Sequence, residues 1–454
     1  MVTAHADVVV IGMGPGGEDV AGRLAEAGLD VVGVENELLG GECPYWGCVP
    51  SKMMIRASNL IAEARRVPGI AGDATVTPDW APVAHRIRAE ATDDWNDRVA
   101  VERFEAKGGR FVRGAGRLDG PGRVAVGNDV FETRRAVVLA TGSAAAIPPI
   151  PGLGDVPFWT NREAIEAKDL PKSLVVLGGG AIGLELSQVF ERFGVQVRVV
   201  EALDRLLPPE EPEASALIEE VVTREGMEIY TGHGATNAAR DGSEVVLTLD
   251  DGRAVRGEQL LVATGRRALL APLGLASVGI DEQARWVTVD GRMRAGAGLW
   301  AVGDLTGHGA FTHIAMYQAG IATADILGEA PAPADYRALP RVTFTDPEVG
   351  SVGLNDAAAR EQGINVRTGL AQIPSTARGW IHKAGNEGFI KVVEDAGRGV
   401  LVGATSVGPV GGEVLSMLVL AVHAEIPVDT LQHMIYAYPT FHRGIEDALR
   451  DLRG

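Results

Sequence analysis

The strongest constraint in this 454-residue chain is a pattern that occurs twice. The first copy is "ADVVVIGMGPGGEDVAGRLAEAGLDVVGVE" and the second is "KSLVVLGGGAIGLELSQVFERFGVQVRVVE". Each reads as an apolar strand, a glycine turn, a helix and a second strand that ends in an acid. The glycines are Gly12, Gly14 and Gly17, then Gly178, Gly180 and Gly183. The acids are Glu35 and Glu201, each 23 positions after the first glycine of its copy (35 − 12 and 201 − 178). One such triplet is a weak signal. Two copies with the acid in register are a strong one.

The spacing has a mechanical meaning. The first glycine allows a tight turn, the second lets a pyrophosphate approach the backbone, and the third lets helix and strand pack closely. The helix N-terminus then offers free N–H groups and positive partial charge to phosphates, and the acid accepts hydrogen bonds from a ribose. Two dinucleotide sites in one chain point to FAD plus NADH or NADPH. A carboxylate at the second strand end repels a 2′-phosphate, so Glu201 favours NADH. Arg198 and Arg205 flank it and moderate that preference.

The chain is long enough for two to four domains. Its formal charge of −18 argues against nucleic acid or an anionic membrane surface as a partner. No apolar run reaches the roughly 18 residues that a membrane helix needs. "MVTAHADVVVIG" lacks a basic leader and runs directly into a strand, so the expected location is cytoplasmic.

Both cysteines fall in "GGECPYWGCVPSK", as Cys43 and Cys48. A stable disulfide staple is uncommon in the cytoplasm, where disulfides are usually transient and catalytic. A tetrahedral zinc site would need two further ligands, and neither His nor a second cysteine pair is nearby in sequence. No metal site is expected.

These motifs, with "VVLATGS" (Val137 to Ser143), "LLVATGR" (Leu260 to Arg266), "LWAVGDLTG" (Leu299 to Gly307) and "VTFTDPEVGSVGL" (Val342 to Leu354), occur in an order that resembles one family. It is the FAD-dependent pyridine nucleotide-disulfide oxidoreductases, which include glutathione reductase, dihydrolipoamide dehydrogenase and mercuric reductase. The resemblance implies an α/β fold with two Rossmann-like nucleotide-binding domains and a C-terminal α+β dimerisation domain. The implied boundaries are 1–148 for the first part of the FAD domain, 149–270 for the NAD(P) domain, 271–338 for the central part of the FAD domain and 339–454 for the interface domain. Pro/Gly-rich Ala144 to Pro157 and Gly328 to Pro340 read as linkers. The interface domain implies a homodimer, each active site being completed by the C-terminal region of the second subunit.

The resemblance also implies roles. Asp304 in "VGD" matches the aspartate that binds the ribityl chain, and Gly142 and Gly265 belong to the two ATG returns. Hydride passes from the nicotinamide to FAD, which then opens a Cys43–Cys48 disulfide. Cys48 becomes a thiolate against the flavin, and Cys43 attacks the acceptor. Lys52 matches the lysine near the flavin and Glu185 its partner. Glu42 stands where the family usually has Thr, and an acid there is expected to raise the Cys43 pKa or to face solvent. Tyr45 and Trp46 either form an aromatic wall for an acceptor or simply pack.

One motif departs from the family. The usual C-terminal H-x-H-P-T-x-x-E reads "YAYPTFHR" here, so Tyr438 replaces the catalytic His and Arg443 its orienting Glu. A phenol is a poor base at neutral pH, though it can donate a hydrogen bond. Tyr at this place is similar to mercuric reductase, but no cysteine follows Cys48 to deliver a metal. His442 reads as a surface or interface histidine, with a substitute base as the alternative, and His308 and His313 read either as contacts to FAD or to the Tyr438 region or as packing residues. The expected function is electron transfer from NAD(P)H through FAD and the cysteine pair to a small disulfide, a metal ion or another electrophile. The alternatives are direct transfer from flavin to quinones without the cysteines, a dihydrolipoamide dehydrogenase (disfavoured by Tyr438), or a non-catalytic redox sensor.

Overall fold

A computed structural model describes residues 3–453. The chain forms two compact units. One comprises Met1–Pro50, Ala84–Ala146 and Gly265–Asp335, and the other Ser51–Val83, Ile147–Thr264 and Tyr336–Gly454.

The first unit is built on five parallel strands in the spatial order Leu299–Ala301, Asp129–Leu139, Thr3–Ile11, Val31–Glu35 and Arg110–Arg113. Parallel sheets need cover on both faces, which is why the first strand reads as a continuous apolar run. Val8 and Val10 pack with Val20, Leu24 and Phe104 on one face. Val9 and Ile11 pack with Leu139, Leu275 and Val287 on the other. The strand order reverses at Thr3–Ile11, whose carboxyl end runs into Gly12. A ligand crevice opens at such a switch point. Ala144–Ala145, expected as the start of a linker, instead pairs antiparallel with Arg266–Arg267.

The second unit repeats the plan with four parallel strands, ordered Glu228–Thr231, Gln196–Glu201, Ser173–Leu177 and Gln259–Val262. A three-stranded antiparallel sheet, Ala235–Asp241, Glu244–Leu249 and Ala254–Gly257, follows it. The C-terminal part is a five-stranded antiparallel sheet, ordered Pro340–Thr343, Glu348–Gly353, Val400–Gly408, Phe389–Asp395 and Val366–Gln372. Helices Gly411–His423 and Gly444–Asp451 cover it through Leu415, Leu418, Ile445 and Leu449. The fold is thus α/β with two Rossmann-like sheets and an α+β C-terminal domain. Among the described residues no helix is long and apolar enough to cross a membrane.

The third glycine of each turn sets how closely helix and strand approach. A Cβ on Gly17 would lie 1.9 Å from the Gly12 carbonyl oxygen, and one on Gly183 would lie 2.1 Å from that of Gly178. Backbone atoms cannot yield as a flexible side chain can. Gly17→Ala is therefore expected to destabilise the protein by about 1–3 kcal/mol and to lower its flavin content. Urea unfolding and the flavin-to-protein absorbance ratio check this, and wild-type values for both would contradict the packing role.

Candidate active site

The two glycine turns have the same geometry. Gly12 (φ +91°) and Gly178 (φ +115°) occupy backbone conformations closed to most residues. The second glycines are open: a Cβ on Gly180 would meet nothing within 4 Å, and one on Gly14 would meet only the Gly41 Cα at 4.0 Å. A pyrophosphate fits there, over the N-termini of helices Pro15–Glu26 and Ala181–Arg192. The acids match as well. Glu35 accepts from the N–H groups of Met13 and Glu37, both at 2.8 Å. Glu201 accepts from those of Gly179 at 2.7 Å and Leu203 at 2.8 Å. Each acid therefore ties its strand end to the residue after the first glycine. Near Glu201, Arg198 pairs with Glu228 at 3.0 Å. Arg205 donates to the carbonyls of Pro208 and Glu210 at 2.7 and 3.0 Å.

The cysteine loop lies in the first unit. Gly41 (φ +65°) turns the chain, and a Cβ there would stand 2.8 Å from the Gly14 Cα. The loop thus packs directly on the first nucleotide turn. Tyr45 and Trp46 are buried with ring centroids 5.9 Å apart, so they pack. Cys48 is the first residue of helix Cys48–Arg65. Its sulfur lies 3.7 Å from the Thr312 hydroxyl, and Thr312 is the first residue of helix Thr312–Ile326. Two helix N-termini, each able to stabilise negative charge, thus meet at this sulfur. Cys43 and Cys48 are not joined by a disulfide. The Cys43 thiol is pushed far above the ordinary range, first by its hydrogen bond to Cys48 and then by burial, while the Thr312 hydroxyl opposes the shift. The shift belongs to the pair.

The Glu42 carboxylate lies 3.6 Å from the Arg266 guanidinium. Arg266 also donates to the Ser143 hydroxyl at 2.8 Å and the Ser143 carbonyl at 2.5 Å. The Ser143 hydroxyl donates to Asp304 at 2.5 Å. Burial raises the Asp304 carboxyl, while Ser143 and Arg266 counter it. Gly142 (φ +65°) and Gly265 (φ +109°) sit at the turns that lead into Ser143 and Arg266, with open space where a Cβ would be. Ser143 and Arg266 are visible in the two ATG motifs, but sequence gives no hint that they touch each other.

The second unit holds the other pair. Lys52 donates to Glu185 at 2.8 Å. Glu185 also accepts from the Phe344 N–H at 2.8 Å, and the Phe344 ring lies 4.5 Å from the Lys52 Nζ. Helix Ala181–Arg192 buries three polar side chains on one face, Glu185, Gln188 and Arg192, at 7%, 3% and 1% exposure. Nothing in the amphipathic pattern announces them.

Tyr438 lies elsewhere in the second unit and is 69% exposed, with the Arg443 guanidinium 5.3 Å from its ring centre. Arg443 pairs with Glu446 at 3.0 Å. His442 is half-buried, its Nε2 lying 3.5 Å from the Thr440 hydroxyl. His313 stacks on Phe311 at 5.2 Å, and burial lowers the His308 pKa. His233, Asp250 and Asp251 cluster within metal-ligand reach. Their carboxylates are already engaged by the Gly234 N–H and by Arg253, as in an ordinary charged turn.

The Cys43 geometry has a pH consequence. The thiolate is the form that alkylates, so a raised pKa moves the rate profile to higher pH. In the reduced protein, Cys48→Ala removes the largest raising cause. Alkylation of Cys43 by iodoacetamide at pH 8 is expected to accelerate by about tenfold or more, read by mass spectrometry. An unchanged or slower rate would contradict the assignment.

Comparison with known proteins agrees with this architecture. The pyridine nucleotide-disulphide oxidoreductase family matches residues 6–319, and that family's dimerisation domain matches residues 339–449. The chain is 32% identical over 475 residues to a dihydrolipoyl dehydrogenase of Haloferax volcanii, covering 100% of this chain and 97% of the relative. It is 34% identical over 466 residues to a mercuric reductase of Streptomyces lividans, covering 98% and 96%. Among solved structures, LpdA from Mycobacterium tuberculosis superposes with a TM-score of 0.87 at 27% identity, covering 99% of both chains. The copper(II) complex of RclA, an HOCl-induced flavoprotein disulfide reductase of Escherichia coli, superposes with a TM-score of 0.85 at 23% identity over 98% of this chain and 99% of that chain. The chain belongs to the pyridine nucleotide-disulphide oxidoreductase family, and it is accordingly an FAD-dependent NAD(P)H:disulfide or acceptor oxidoreductase.

Proposed function

We propose that this chain, as a cytoplasmic homodimer, passes electrons from NADH to the Cys43–Cys48 pair and on to a small acceptor. The observation that carries the reading is the pairing of the two sulfurs at the N-termini of two helices, with the Thr312 hydroxyl beside Cys48. When bound, FAD would supply the two-electron chemistry that links the reduced nicotinamide to the disulfide. Gly12, Gly14, Gly17 and Glu35 would hold its adenosine diphosphate half, and Asp304, braced by Ser143 and Arg266, would hold its ribityl chain. Gly178, Gly180, Gly183 and Glu201 would hold the nicotinamide cofactor. Arg198 and Arg205 are committed to other partners, which leaves Glu201 to face a ribose and supports NADH over NADPH.

Reduction of the disulfide by two electrons breaks the S–S bond and leaves one sulfur as thiolate and one as thiol after a single proton is taken up. Helix Cys48–Arg65 favours the thiolate at Cys48, and the hydrogen bond between the sulfurs keeps the proton on Cys43. Cys43 must then lose that proton to attack an acceptor. Tyr438 stands where the family's usual base would be, and a phenol beside Arg443 does not take up a proton as an imidazole does. The acceptor favoured here is therefore a soft metal ion or another electrophile that needs little proton shuttling. The dihydrolipoyl dehydrogenase relatives support a small disulfide as the next choice.

The test compares wild type with Cys43→Ala across lipoamide, glutathione disulfide, mercuric ion and a quinone, with NADH and NADPH as donors. Turnover with the preferred acceptor is expected to fall at least a hundredfold in the variant, on the order of a lost nucleophile, and NADH is expected to give the higher kcat/KM. Undiminished turnover would mean that the flavin reduces its acceptor directly.

A further inference from the structure

The polar face of helix Ala181–Arg192 fixes one short segment of the C-terminal domain, residues 344–346. Every polar group of Asp346 is turned to that helix or its neighbours. Its N–H donates to Gln188 at 2.7 Å and its carbonyl accepts from Gln188 at 2.9 Å. Its carboxylate accepts from Arg192 at 2.8 Å and from Arg66 at 2.7 Å. Arg192 also binds Glu225 at 2.6 Å and Asn59 at 2.7 Å. Asn59 follows Lys52 by seven residues and Arg192 follows Glu185 by seven, about two helical turns each. The two helices are therefore joined at two levels, by Lys52–Glu185 and by Asn59–Arg192.

Phe344 sits two residues before Asp346 and inherits this rigidity. Its N–H holds one oxygen of Glu185, whose other oxygen holds Lys52, and its ring lies against the Lys52 ammonium. The ammonium is partly open to water, at 35% side-chain exposure, and also donates to the Ser51 hydroxyl at 3.4 Å. A cation over an aromatic face is held electrostatically by the ring quadrupole. We propose that Phe344 is a positioning residue for Lys52: its ring, anchored through Asp346 and Arg192, fixes where the ammonium stands beside Glu185. The inference rests on the reading of Lys52 as the charge beside the flavin, and the test separates the two.

The measurement is the two-electron midpoint potential of the flavin in holoenzyme, for Phe344→Leu, Phe344→Tyr, Lys52→Met and the Lys52→Met/Phe344→Leu double variant. Positive charge near the ring favours its reduced, anionic form, so Lys52→Met should lower the potential. Phe344→Leu should lower the ratio of reduced to oxidised flavin at a fixed poise by roughly two- to fivefold, about 10–20 mV for a two-electron couple. Phe344→Tyr keeps the ring and should restore the wild-type value. In the Lys52→Met background, Phe344→Leu should have no further effect. If Phe344→Leu fails to load flavin, Phe344→Met, which keeps the bulk without the ring, takes its place. A Phe344 effect that is absent, or equal with and without Lys52, overturns the positioning role alone. A Lys52→Met potential equal to wild type overturns the reading of Lys52, and the positioning role with it.

Discussion

A helix can aim its N-terminus at a pyrophosphate only if it begins in contact with the strand before it. Gly17 against the Gly12 carbonyl, and Gly183 against that of Gly178, make this approach in both nucleotide-binding sheets. The rest of each site follows from it. The strand end is fixed, so the acid on the next strand reaches back to the turn, as Glu35 does to Met13 and Glu201 to Gly179. In the first unit the cysteine loop rests on the same turn through Gly41, so the position of the sulfurs depends on that approach as well.

Charge is organised differently in the two units. In the first, Glu42, Arg266, Ser143 and Asp304 form one chain of contacts in which a single guanidinium serves two carboxylates. The acid that replaces the family's Thr is thereby tied to a cation. In the second, Arg192 is almost fully buried with Glu225, Asp346 and Asn59 around it. Removing one partner from a buried ion pair costs about 3–5 kcal/mol. That makes the network a fixed frame for whatever it touches, including the Phe344 and Glu185 contacts to Lys52.

Much of this was legible in the sequence because backbone geometry dictated it. The glycine turns, their acids and the fold class leave a residue pattern at fixed spacing, whereas the Lys52–Glu185 pairing was implied only by the family resemblance. The second strand ends in its acid as read, at Glu35, whereas the first begins ahead of the apolar run, at Thr3. Contacts between distant segments left no such pattern. Ser143 and Arg266 each stood in a recognised motif, but their contact depends on the antiparallel pairing of Ala144–Ala145 with Arg266–Arg267. Glu185 carried a family match, while Gln188 and Arg192 carried no motif. They are buried because Asp346 and Glu225 supply their partners. Thr312 stands in no recognised motif, and its contact with a sulfur is visible only in three dimensions.

The account's central claim is that the two cysteines carry electrons. The direct measurement is a thiol count on oxidised holoenzyme before and after anaerobic reduction with NADH in the absence of acceptor, with the protein quenched, alkylated and mapped by mass spectrometry. The account predicts that both Cys43 and Cys48 are unlabelled before reduction and labelled after it. Cysteines that label equally before and after, while the flavin is bleached by NADH, would contradict it.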